Sequence, residues 1–268
     1  MATLLKKVTH LVLPVAGMGT RLMPLTLHRP KALVEVCGKP LLTYMIEEGW
    51  ASGLRNIVLV VSPPHLGDFE MYARAITKKF PDLHLTIRVQ ERPLGDGQAI
   101  LEAADLLSDA PFAVRFCDDL IRAEEPALKA LMRIFEERHA SVIALDRVSH
   151  DLAHRYGVVG IRDDRNAPLY DIVSVVEKPK ERFGSHAQLP FALTVIGAYV
   201  LQPSILDHLK QMRADAPDTP DALRISSSIQ KELELDGAVV GLEFSGNRFD
   251  CGTLEGIEAA HAALCGNQ

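Results

Sequence analysis

The sequence predicts an α/β protein with a mostly parallel, mixed sheet in a three-layer αβα sandwich. Apolar, β-branched runs alternate with helical patterns through the first half, as right-handed βαβ units require. One of those runs, Ile57–Val61, is apolar at every position, which marks a strand covered on both faces. With 268 residues and 47% hydrophobic content the chain can bury a substantial core. We read a single domain over 1–268, with one half at roughly 1–145 and the other at 146–268.

The first strand is expected at His10–Val15. Lys6 and Lys7 precede it and give a superficial likeness to a secretory signal, but the apolar run is short and Pro14 interrupts it. Further strands fall at Asn56–Ser62, His84–Gln90, Phe112–Cys117 and Ser141–Leu145, with helical patterns at Leu41–Ser52, Phe69–Lys79, Gln98–Leu107 and Ala127–Arg138. The second half is less regular. Strands are expected at Tyr156–Ile161, Asp171–Pro179, Leu193–Leu201 and Val239–Phe244, and helices at Ala222–Leu235 and Leu254–Leu264. Asp215–Asp221, with Pro217 and Pro220, reads as a surface loop.

Composition narrows the function classes. A net charge of −6 argues against a chain that coats nucleic acid or acidic lipid. No segment approaches the roughly 20 apolar residues that span a bilayer. Cys37, Cys117, Cys251 and Cys265 show neither a CxxC pair nor zinc spacing, so they read as reduced thiols of a cytoplasmic protein with no disulfide framework. His28, His65 and the other histidines read as surface or core residues.

Val15–Pro40 carries the strongest chemical signal. Gly17 and Gly19 let a loop turn tightly and present N–H groups to an anion, while Arg21 and Lys31 add positive charge nearby. The loop lacks the Gly-Lys-Ser/Thr ending of a P-loop. Leu22 stands where a dinucleotide fingerprint has its third glycine. A bare GxG is also compatible with a simple turn.

In an open parallel sheet, ligands collect beyond the carboxyl ends of the strands. Gln90, Asp118, Glu177–Lys178 and Asp250 all follow apolar runs. Asp118 and Asp119 read either as a strand-end or helix cap, or as ligands of a hard cation such as Mg²⁺, which needs few protein carboxylates. Asp250 reads either as the N-cap of the last helix or as a second ligand. Gln90 can pair with a pyrimidine edge, and Gly95 and Gly97 allow close backbone approach. The Gly-Asp-Gly stretch alone also fits a hairpin turn, and Glu177–Lys178–Pro179 alone is a common surface triplet. Cys117 and Cys251 neighbour the aspartates but are unsuited to a hard cation and read as packing.

The full pattern GxGTRxxPxTxxxPKxLxxVxxKP resembles the sugar-1-phosphate nucleotidyltransferases, most closely their bacterial branch acting on UTP and glucose 1-phosphate. The resemblance runs in order along nearly the whole chain. It implies a Rossmann-like sandwich with a sugar-binding β extension. It also implies UTP and glucose 1-phosphate as substrates, UDP-glucose and pyrophosphate as products, Mg²⁺ as cofactor, and a homodimer or homotetramer. Carried over by position, it implies nucleotide binding by Ala16, Gly17, Gly19, Thr20, Gln90 and Gly95. Tyr156, Gly157, Glu177, Lys178 and Val195 fall on the sugar-phosphate side, and Asp118 and Asp250 on the metal, with Asp119 the weaker candidate. Arg21 would stabilise the leaving pyrophosphate, Lys31 would bridge the phosphates, and Lys178 would orient the attacker.

Three departures stand out. Ala32 replaces a usual glutamate, the region between the second and third strands is short, and DALRISSSIQ (Asp221–Gln230) replaces a more acidic motif. They leave open a thymidylyl or other sugar-1-phosphate transferase, and also a catalytically weak regulatory paralogue that binds nucleotide sugar.

Overall fold

The computed structural model describes residues 6–107, 109–179, 189–217, 219 and 222–266. Its strands are β1 (His10–Pro14), β2 (Glu35–Val36), β3 (Lys39–Pro40), β4 (Asn56–Val61), β5 (His84–Val89), β6 (Phe112–Arg115), β7 (Asp119–Arg122), β8 (Ser141–Val148), β9 (Gly157–Ile161), β10 (Leu169–Glu177), β11 (Ala192–Leu201), β12 (Val239–Glu243) and β13 (Asn247–Asp250). Its helices are α1 (Leu41–Ala51), α2 (Leu66–Lys79), α3 (Asp96–Leu101), α4 (Ala104–Leu107), α5 (Ala127–Arg138), α6 (Ser204–Asp215), α7 (Ile225–Glu234) and α8 (Leu254–Cys265).

Among the described residues a nine-stranded sheet runs β5-β4-β1-β6-β11-β8-β12-β10-β9. The β5-β4-β1-β6 portion is parallel; β11 then pairs antiparallel with both β6 and β8, so the sheet is mixed. Side chains alternate between two cores. Leu11, Leu13, Ile57, Leu59 and Val61 pack with α1, α2, α5 and α8 on one face. Val12, Val58 and Val60 pack with α3, α4, α6 and α7 on the other. This period of two produces the three layers.

Three expectations need correction. The helix expected over Gln98–Leu107 is two helices, α3 and α4. The helix expected from Ala222 starts at Ile225, because Leu223 is pinned in extended pairing instead. Its N–H donates to the Leu94 carbonyl at 3.0 Å, and its own carbonyl accepts from Gly97 N–H at 2.9 Å. Within the loop expected at Asp215–Asp221, residues Asp218, Pro220 and Asp221 lie outside the described residues.

The third correction concerns the cysteines. Cys37 and Cys265 form a disulfide across a sequence separation of 228. Cys37 occupies the β2–β3 turn with a φ of 52°, and Cys265 ends α8. Their approach is a tertiary event that sequence spacing does not encode. Cys117 and Cys251 are free and buried, and burial pushes each thiol up to about 12.

Candidate active site

The chain leaves β1 into the glycine loop, where Gly19 adopts a left-handed φ of 64° and Thr20–Leu22 closes into a 3-10 turn. The Thr26 hydroxyl donates to the Gly19 carbonyl at 2.9 Å and fixes the loop's return. A second 3-10 turn, Lys31–Leu33, aims the Lys31 ammonium at the end of β6. There it meets Asp118 Oδ2 at 2.6 Å. Burial opposes the charge on each partner, but their attraction outweighs it. Asp118 is held below the ordinary carboxylate range and Lys31 above the ordinary lysine range.

The two aspartates share one locus because β7 and β13 form a short antiparallel ladder pairing Asp250 with Asp119. Cys251 N–H then donates to the Asp118 carbonyl at 2.7 Å. Gly252 is the hub. A Cβ there would lie 2.8 Å from Asp250 Oδ1, 3.2 Å from the Arg21 guanidinium and 3.3 Å from the Lys31 ammonium. The glycine therefore leaves space in which Arg21, Lys31 and Asp250 face one another. The cap readings fall away: Thr253 is the N-cap of α8, accepting from Gly256 N–H at 3.1 Å, and Asp118 leads into a strand.

A cavity of about 330 Å³ opens beside this cluster, in the range of small-molecule sites. Its lining includes Ala16, Gly17, Lys31, Gln90, Gly95 and Asp118. Gly19, Thr20 and Arg21 are absent from its described lining. In that lining Gln90 is buried and donates to the Gly95 carbonyl at 3.0 Å. Gly95 has a φ of 122°, and a Cβ there would run into the Leu223 carbonyl. We expect Gly95→Ala to cost about 1–3 kcal/mol through backbone strain and to raise the KM for nucleotide, read by denaturant unfolding and steady-state kinetics. Unchanged stability and KM would show that this wall is not held by Leu223.

Of the remaining predicted residues, Tyr156 meets Asp250 and the others group around Gly157 and Glu177. The Tyr156 hydroxyl donates to Asp250 Oδ2 at 3.2 Å. Gly157 pairs with Glu177 across β9 and β10. Val195, on β11, lies near Gly157 as well. Lys178 is half-exposed with a left-handed φ of 45°, its ammonium 3.8 Å from Glu177 Oε1. It does not reach the cavity's described lining.

Sequence reasoning missed several contributors. Arg224 lines the cavity and approaches Glu177 Oε1 at 3.9 Å. Asp96 also lines it; burial pushes its carboxyl up to about 6, and Ile225 N–H donates to it at 2.8 Å. Arg224 lies within Asp221–Gln230, whose departure from the family pattern was the available signal. Arg248 was not foreseen either. Its Nε donates to Asp119 Oδ1 at 2.6 Å, and its guanidinium lies 4.8 Å from the centre of the Tyr156 ring. Asp119 Oδ2 also accepts from Gly197 N–H at 2.9 Å, so this carboxylate is already committed to the protein.

Asp118 and Asp250 present hard carboxylate oxygens beside the Lys31 ammonium and the Arg21 guanidinium. That donor set fits a divalent cation of the Mg²⁺ kind, which takes most of its ligands from phosphate and water. Asp119 is turned instead toward Arg248 and the Gly197 N–H.

A mixed α/β sheet with a glycine loop, paired carboxylates and a lysine at its strand ends defines a nucleotide-phosphate-handling protein. The chain belongs to the nucleotidyl transferase family, which matches residues 11–266. It is 32% identical to a UTP–glucose-1-phosphate uridylyltransferase of Pseudomonas aeruginosa, with 92% of this chain and 93% of that one covered. It is 28% identical to one of Staphylococcus haemolyticus, with 94% and 91% covered. Among solved structures, UDP-glucose pyrophosphorylase complexed with UDP-glucose superposes with a TM-score of 0.83 at 25% identity, covering 97% of this chain and 100% of that one. A UTP-bound UGPase from Acinetobacter baumannii gives 0.79 at 25% identity, covering 97% and 94%.

Proposed function

We propose that this chain transfers the uridylyl group of UTP to glucose 1-phosphate, giving UDP-glucose and pyrophosphate. The observation that carries the reading is one cavity lined by Gln90 and Gly95 together with Lys31 and Asp118. Gln90 offers a pyrimidine edge its donor and acceptor, and Lys31 offers a polyphosphate its charge. The names of the relatives above support the same substrates.

The sugar phosphate oxygen is already anionic, so the reaction needs no general base. It needs two anions held together and charge stabilised as pyrophosphate leaves, by in-line displacement at the α-phosphorus. Lys31 offsets phosphate charge from beside Asp118, and Arg21 faces the departing pyrophosphate across Gly252. Glu177 accepts hydrogen bonds from sugar hydroxyls. Lys178 swings from Glu177 to the sugar phosphate, a move its exposure leaves open. Asp118 and Asp250 would hold a Mg²⁺, which would supply further neutralisation of phosphate charge.

The test of the base assignment is competition among nucleoside triphosphates, following pyrophosphate release with glucose 1-phosphate. UTP is expected to exceed ATP and GTP by at least ~10-fold, because a purine overfills the pocket and leaves its polar groups unpaired. Equal turnover with a purine nucleotide overturns the assignment, and a preference for dTTP selects the thymidylyl alternative. Lys178→Ala is expected to raise the KM for glucose 1-phosphate roughly 10- to 150-fold, the loss of a charge-assisted phosphate contact worth ~1.5–3 kcal/mol. A rise confined to the KM for UTP would place Lys178 on the wrong substrate.

A further inference from the structure

Cys37, His261 and Cys265 have no part in the cavity or its mechanism, yet they converge. α8 carries His261 and Cys265 four residues apart, hence on one helix face. The His261 Nε2 lies 3.5 Å from Cys265 Sγ. The β2–β3 turn delivers Cys37, whose Sγ lies 3.8 Å from the His261 carbonyl. One ligand atom from each of the three residues falls within 4.8 Å of the others.

Two thiols and an imidazole, with no carboxylate, form a soft N/S donor set. A tetrahedral Zn²⁺ holds sulfur at about 2.3 Å and nitrogen at about 2.0–2.1 Å, which places those two atoms about 3.5 Å apart. That is the separation Cys265 and His261 already have. The disulfide withholds both sulfurs, since the metal ligand is the thiolate.

We propose that the reduced chain binds one soft divalent cation, of the Zn²⁺ class, through Cys37, His261 and Cys265, and that metal and disulfide exclude one another. A dithiol reductant supplies the two electrons and two protons that open the S–S bond, becoming a disulfide itself. Metal binding then releases both thiol protons to solvent and forms two metal–sulfur bonds, with water completing the tetrahedron. Either link ties the end of α8 to the hairpin that follows the Lys31 turn. The reduced, metal-free chain alone lacks the tie.

The test uses Co²⁺ as the probe, added anaerobically to the full chain with saturating Mg²⁺ to occupy oxygen-ligand sites. The phosphine-reduced protein is expected to bind one equivalent, with a thiolate-to-cobalt charge-transfer band and tetrahedral d–d bands that Zn²⁺ abolishes. The oxidised protein is expected to show neither. Cys37→Ser and His261→Ala are each expected to weaken binding at least ~10-fold. Absence of the thiolate band in fully reduced protein, or an unchanged affinity in either variant, overturns the proposal. The redox comparison uses the unaltered chain, so it stands even if a variant folds poorly.

Discussion

Asp118→Asn and Asp250→Asn are each expected to lower kcat for pyrophosphate release by about 10²–10³, the scale set by removing one charge-stabilising group from a preorganised site. Asparagine keeps the volume of the side chain and removes its charge. At position 118 the change also strips Lys31 of the partner that holds it 2.6 Å away and keeps it charged. At position 250 it alters the acceptor that faces the Tyr156 hydroxyl and the Gly252 N–H. Steady-state kinetics over a Mg²⁺ titration, paired with an unfolding curve, measures both consequences. Near-normal turnover with unaltered metal dependence in either folded variant would remove that aspartate from the site.

The second large effect concerns stability. Arg248→Met is expected to destabilise the fold by about 3–5 kcal/mol, the usual cost of leaving one member of a buried pair uncompensated. Arg248 and Asp119 side chains are 11% and 14% exposed, with Nη2 2.5 Å from Oδ1. The guanidinium also covers Tyr156, so the loss reaches the ring whose hydroxyl faces Asp250. The deficit carries a pH signature. Burial raises the Asp119 carboxyl, and without Arg248 nothing of equal strength opposes that rise. An acid whose folded pKa lies above its unfolded value adds most stability below the unfolded value and loses it as pH rises through the folded one. The variant's deficit should therefore be larger at pH 8 than at pH 5 in denaturant unfolding. A pH-independent loss under about 1 kcal/mol would show that Arg248 is not the counter-charge of Asp119.

Sequence patterns exposed the parallel half of the sheet because β1 and β4 are apolar on both faces, which leaves no polar alternation to confuse the reading. α5 was legible to its bounds, Ala127–Arg138, since its buried positions repeat at helical spacing. α6 was missed: it buries only Ile205, Leu206 and Leu209 among its twelve residues, too narrow a stripe beside His208, Lys210 and Gln211. The β7–β13 ladder was missed as well. Each strand is four residues long, and their pairing depends on a partner more than a hundred positions away. That ladder is what joins Asp118 to Asp250, so the carboxylates could be named from sequence while the device uniting them could not. Arg248 was hidden with that ladder: it stands two residues before Asp250, and only a strand there makes the spacing place both side chains on one face.

In the proposed reaction the Lys31–Asp118–Asp250 cluster serves transfer and not binding alone. Ala32, buried on the cavity wall and one of the departures from the pattern that the sequence resembles, keeps a non-catalytic paralogue in view. The direct measurement is turnover by the purified chain by itself, with UTP, glucose 1-phosphate and Mg²⁺, following pyrophosphate and UDP-glucose together. Catalysis by the chain gives stoichiometric formation of both products over many turnovers, abolished by chelation of the metal. Tight binding of UTP or UDP-glucose with only a trace of pyrophosphate, whichever sugar phosphate is supplied, would contradict it.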